Sequence, residues 1–213
     1  MDRLFIIDYL NELSTIMKEK QEYLIELDSV VGDGDLGLTM SDGFEAAFEA
    51  IKTSEENDLG RLLFTAGKAM SSAVPSTMGT LMASGFMQAG KAFKGKDVIE
   101  AKEIVDLLRA YAEGVMHRGK AQPGEKTFID GLMPAIKKMD EAFAQGLDAF
   151  TAAKKGVSGA VEGYDRTAGM LAVHGRAATR GEASRTLKDP GAAVAVLMIT
   201  ALEKSTRNFN HKK

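Results

Sequence analysis

The chain has 213 residues, enough for one domain with a substantial core, and its 45% hydrophobic and 27% charged residues are ordinary for a globular protein. A formal charge of −3 lacks the basic excess that marks nucleic-acid or anionic-membrane binding, so neither partner is expected. With no cysteine, the sequence excludes disulfides, thiolate metal sites and a cysteine nucleophile. The first residues do not form a signal-peptide pattern, and no run of about 18 apolar residues occurs, so a cytoplasmic location is expected.

In chain order, Leu4, Phe5, Tyr9, Leu10, Leu13, Ile16 and Met17 recur at three- and four-residue steps and predict a first helix. A second apolar stripe over 24–27 runs into Asp28. Met40, Phe44, Ala47, Phe48 and Ile51 predict the next helix, and Asn57-Asp58 starts another carrying Leu62, Leu63, Ala66 and Met70. Pro75 and Gly79 read as interruptions before a helix over 81–92. Val98, Ala101, Ile104, Val105, Leu108, Tyr111, Ala112 and Val115 predict a long helix stopped near Gly119 and Pro123-Gly124. Thr127 and Asp130 have capping-box spacing ahead of Ile129, Leu132, Met133, Ile136 and Met139. Residues 150–160 and 164–173 read as two weaker helices and 191–205 as a strong one. No alternating run bounded by hairpin turns is found. About eight helices with short connections predict an all-α, antiparallel up-and-down bundle or barrel, organised as a single domain over 1–213.

Glycine and ionisable residues gather in four of the connections. In the first, LDSVVGDGDLG over 27–37, three aspartates fall within eight residues between glycines that permit unusual backbone angles. Such carboxylates repel one another unless a cation neutralises them, and a hard, oxygen-preferring ion is the natural candidate. An EF-hand fails, because the loop position for the bidentate glutamate, counted from Asp33, is Phe44. Mg²⁺, which takes a few carboxylates and fills its shell with water and phosphate oxygens, fits better. The N–H groups of Gly37, Leu38 and Thr39 are expected at a helix start, where phosphate is favoured. A solvated acidic turn with aspartate caps is the plainer alternative.

The second connection, 74–80, is small and hydroxylic and is a weak phosphate candidate. The third, RGKAQPGEKT over 118–127, reads mostly as a solvated loop before a capped helix. The fourth, GRAATRGEASRTLKDPGA over 175–192, places arginines suited to phosphate beside Asp189-Pro190, an N-cap followed by a first-turn proline. The histidines lack metal-ligand spacing, with none at i+3 or i+4 from His174. No Walker-type loop or Ser-His-Asp pattern occurs.

These stretches, in this order and spanning nearly the whole chain, resemble the L subunit of dihydroxyacetone kinase, which also forms the C-terminal nucleotide domain of single-chain enzymes. The resemblance implies an eight-helix barrel with the nucleotide at one end. It implies that Asp28, Asp33 and Asp35 hold Mg²⁺, two ions in the family, bridging the phosphates of ADP or ATP. Leu36, Gly37, Leu38, Thr39, Thr77 and Met78 would line the phosphates, while Gly119, Phe128, Arg176, Asp189, Pro190 and Gly191 would surround the base and ribose. Asp28, Asp33, Asp35 and Arg176 are the implied catalytic set.

The ketose in that family is carried on a separate K-type subunit or domain, so no nucleophile is needed here. The implied partner is that ketose-binding subunit, and the family has two donor modes that the sequence does not separate: a phosphotransferase-system protein rephosphorylates bound ADP, or free ATP exchanges at each turnover. The chain departs from the family at Leu36, where histidine is common. It departs also at Pro75 to Gly79, which replaces a glycine-rich loop, and at Thr186 to Lys188. A non-catalytic nucleotide or metal sensor contacting a transcription regulator is the alternative role.

Overall fold

A computed structural model describes residues 1–211, all of whose regular elements are helical. In order they are α1 (Arg3–Glu19), α2 (Gln21–Val31), α3 (Leu36–Glu49), α4 (Leu59–Ala73), α5 (Thr77–Ala92), α6 (Glu103–Gly119), α7 (Phe128–Ala144), α8 (Ala149–Thr167), a 3-10 segment (Arg176–Thr186) and α9 (Pro190–His211). Local chemistry sets most of the starts. Asp2, Asp58, Ser76 and Asp148 each accept first-turn N–H groups of α1, α4, α5 and α8. Thr127 and Asp130 form the reciprocal capping box of α7. Asp189 accepts from the Ala192 N–H at 2.7 Å, with Pro190 at the first position of α9.

Eight long helices alternate in direction, and each packs on the next: α1 on α3, then α3 through α9 in sequence, with α9 closing on α1. This is the expected up-and-down arrangement. The buried Tyr9 hydroxyl donates to the Met198 carbonyl oxygen across the closing seam. The short α2 is separated from α1 only at Lys20 and runs on past the start of α3. The core holds a chain of rings, Phe44, Phe86, Tyr111 and Phe128, with centroids 5.1–6.2 Å apart. The Tyr111 hydroxyl donates to the Met82 sulfur at 3.2 Å.

Alternation puts the starts of α3, α5, α7 and α9 at one end, together with the connections 32–35, 74–76, 120–127 and 168–189. The opposite end is closed by the chain start, where the Met1 ammonium donates to the Ile99 carbonyl at 2.7 Å and Arg3 to that of Ser54.

Several boundaries differ from expectation. Gly79 lies inside the first turn of α5 and does not interrupt, because Ser76 caps its N–H. The long helix begins at Glu103, and Val98 is 64% exposed in the turns before it. The two expected helices near 150–173 are one helix that ends at Thr167. Gly163 lies within it because a Cβ there would collide with the Asp130 carbonyl. That carbonyl lacks its usual helical donor because the residue four positions on is Pro134, so the backbones of α7 and α8 approach closely at this point. Residues 176–186, read as a loop, form 3-10 turns kinked at Gly181.

Candidate functional site

Asp28 lies on α2, not beyond it, and its carboxylate folds the loop that follows. One oxygen accepts from the Gly34 N–H at 3.0 Å and from the Leu36 N–H at 3.4 Å. Gly34 has φ +75°, which glycine adopts freely, and this turn carries Asp33 and Asp35 back towards Asp28. Carboxylate oxygens of Asp28, Asp33 and Asp35 then lie within 4.8 Å of one another. Asp28 is half-buried, and the other two are exposed. Burial pushes the Asp35 carboxyl above its ordinary value, Asp33 and Asp28 push it further, and Arg176 opposes them. Arg176 arrives from the fourth connection and pairs with Asp33 at 2.5 Å. Three anionic oxygens at this spacing, on a turn with open space outside it, suit a small divalent cation held by hard ligands.

Beside the carboxylates α3 begins. Gly37 and Leu38 sit in its first turn, where N–H groups have no intrahelical acceptor, whereas the Thr39 N–H bonds the Asp35 carbonyl at 2.9 Å. The expectation of three open donors therefore narrows: Leu36 is engaged by Asp28 and Thr39 by the helix itself. The Leu36 side chain is in the core, and Leu38 is 49% exposed. Gly37 is required for packing, because a Cβ would collide with the Gln21 carbonyl of α2. At α5 the same selection occurs: Ser76 takes the Gly79 N–H, which leaves those of Thr77 and Met78 at the helix start.

The third and fourth connections are joined by buried charge. Lys126, read as part of a solvated loop, is 2% exposed and donates to the carbonyls of Thr167 (2.6 Å) and Leu187. Asp130 accepts from the N–H groups of Gly124 (2.5 Å) and Thr127 (2.8 Å). Burial raises the Asp189 carboxyl to about 7, against the helix-start N–H groups and Lys126, which lower it. Burial likewise lowers the Lys126 ammonium, with Asp189 opposing. His174, which has no metal-ligand partner at i+3 or i+4, faces Glu125 at 2.7 Å. The pair is a loop staple, since the Glu125 carboxylate also accepts the Gln122 N–H. No periodicity or spacing signalled Lys126, because its environment is made by residues 41 and 61 positions away.

The structure thus gathers Asp28, Asp33, Asp35 and Arg176 on one side of this end. Gly119 closes α6, and Phe128 and Pro190–Gly191 open α7 and α9. A Cβ on Gly191 would lie 3.1 Å from the Phe128 nitrogen, so these two helix starts abut. A groove of about 1140 Å³ on the outer side of α4, α5 and α6, lined by Arg61, Phe64, Met87 and Lys91, contains none of the aspartates. The aspartate end is the stronger candidate because, among the described residues, potential cation ligands and open helix starts coincide there.

Residues 30–204 match the DAK2 domain family. The chain is 32% identical over 202 residues to the ADP-binding subunit DhaL of the PEP-dependent dihydroxyacetone kinase of Escherichia coli (strain K12), covering 95% of this chain and 96% of that one. It is also 32% identical to the L-erythrulose 1-kinase of Mycolicibacterium smegmatis, covering 92% of this chain but 34% of that longer protein. Among solved structures, the dihydroxyacetone kinase of C. freundii in complex with AMP-PNP and Mg²⁺ superposes with a TM-score of 0.71 at 22% identity, over 93% of this chain and 33% of that one.

Proposed function

The chain belongs to the DAK2 domain family, and from that premise we propose that it is the nucleotide-carrying subunit of a dihydroxyacetone-type kinase. It passes a phosphoryl group from Mg²⁺-bound nucleotide to a small ketose held on a separate K-type subunit. One observation carries the reading: three carboxylates meet within 4.8 Å beside helix starts whose N–H groups are open. Asp28, Asp33 and Asp35 would hold Mg²⁺, two ions in this reading, and the metal would neutralise charge on the phosphates. The fit is chemical, since Mg²⁺ takes hard carboxylate oxygens from a protein and fills its shell with water and phosphate oxygens.

The chain's own residues divide the remaining work. Gly37, Leu38, Thr77 and Met78 offer N–H groups to phosphate oxygens, with Leu36 and Thr39 shaping that wall. Arg176, 68% exposed, neutralises Asp33 and can exchange it for a phosphate oxygen. Gly119, Phe128 and Asp189 to Gly191 bound the base and ribose. Catalysis on this side is positioning and charge neutralisation, and the acceptor hydroxyl comes from the partner. In this reading the chain is one cytoplasmic domain over 1–213, and a phosphotransferase-system protein rephosphorylates its bound ADP. No helix among the described residues is long and apolar enough to cross a membrane.

The test is reconstitution with a K-type subunit loaded with dihydroxyacetone or erythrulose. Phosphorylated ketose should form with the wild-type chain and not with folded Asp33→Asn. Full turnover in that variant, or none with any ketose in the wild type, sinks the reading.

A further inference from the structure

Lys126 carries two unfavourable features at once. Its backbone is left-handed at φ +62°, where a side chain is disfavoured, and its ammonium is withdrawn from water. A glycine would remove both, so the side chain must offset them by what it holds. Its donors reach the carbonyl of Thr167, the last residue of α8, and that of Leu187, two residues before Asp189. The Thr167 hydroxyl accepts the Asp189 N–H at 2.9 Å, and the Asp189 carboxylate completes the start of α9. On the other side, Lys126 directly precedes Thr127, the cap of α7. One ammonium therefore ties together the end of α8, the start of α9 and the start of α7, where the last two abut at Gly191 and Phe128.

We propose that Lys126 is a positioning residue for the nucleoside half of the nucleotide: it fixes the space between Gly119, Phe128 and Asp189–Gly191 without touching the ligand. This rests on the reading that base and ribose lie there. The phosphate half depends on different bonds, those of Asp28 to Gly34 and Leu36 and of Ser76 to Gly79, none of which involves Lys126. The two halves of the site are thus separable by mutation.

The experiment compares Mg²⁺-ADP with Mg²⁺-pyrophosphate, which has no nucleoside, by titration calorimetry on the wild type and on Lys126→Met. The expected result is at least a roughly tenfold loss of ADP affinity, the range in which supporting residues act, with pyrophosphate affinity unchanged. Lys126→Arg, which keeps a buried cation and donors, should recover part of the ADP affinity. Equal loss of both ligands would make Lys126 a general structural support and overturn the proposal, as would unchanged ADP binding. Should Lys126→Met not fold, Lys126→Gln carries the same expectation, and failure of both to fold also overturns it. A wild-type chain that binds no ADP would instead remove the nucleotide reading itself.

Discussion

At one end of the helix ring, Asp33 and Asp35 stand exposed, their carboxylates crowded against Asp28, with a single exposed arginine as counter-charge. At the same end, Lys126, Asp130 and Asp189 are buried, and each side chain is bonded to the backbone of a turn or a helix end. The residue types overlap, but their uses are opposite. Buried charge survives only when its bonds are made internally, so the Lys126 cluster is architecture. Three crowded carboxylates with one arginine between them are compensated only in part, so the aspartate turn suits an external cation. Burial and bonding, rather than residue type, separate the frame of this site from its working face.

The largest expected effect breaks the working face and spares the frame. Asp33→Asn removes a metal ligand whose exposed side chain pairs with Arg176 and hydrogen-bonds Asp35, and Mg²⁺-dependent nucleotide affinity should fall by more than about 100-fold, beyond what supporting residues cost. Its thermal midpoint should match the wild type, so a large drop would place Asp33 in the frame. Next, Gly37→Ala forces a Cβ against the Gln21 carbonyl and should destabilise folding by about 1–3 kcal/mol in denaturant titrations. An unchanged midpoint would show that α2 is free to shift on α3. Thr127→Ala opens the capping box of α7 and should cost about 1 kcal/mol by the same measurement.

A separate prediction tests the buried charge through pH. The folded chain holds the Asp189 carboxyl at about 7, whereas an unfolded aspartate titrates near 3.8. Between those values the folded state keeps a proton that the unfolded state has released, so this group makes stability fall as pH rises from about 4 to 7. Asp189→Asn, which can still cap α9, should flatten that slope in thermal melts across the window. An unaltered slope would show that Asp189 is not the residue responsible.

What the sequence disclosed was mainly local. Asp58, Thr127 with Asp130, and Asp189-Pro190 are legible as caps because each acts within three or four residues of itself. The aspartate turn is legible for the same reason, since its glycines and carboxylates lie in one stretch. The break expected near Gly163 failed because that glycine answers to α7, and the reading of Lys126 as solvated failed because its acceptors are far along the chain. Val98 misled in the other direction, since an apolar residue in helical register was simply left exposed. At the candidate site, the carboxylates could be found by inspection, but the choice of which N–H groups stay open depended on Asp28 and Ser76 folding back on them.

The most direct test of the central claim is calorimetric titration of the nucleotide-stripped chain with ADP, first with Mg²⁺ and then with EDTA. Binding that is present with Mg²⁺ and vanishes with EDTA is the predicted result, because the carboxylates can meet phosphate only through a cation. Binding of equal strength in both conditions, or none from a folded chain in either, would contradict the assignment of Asp28, Asp33 and Asp35.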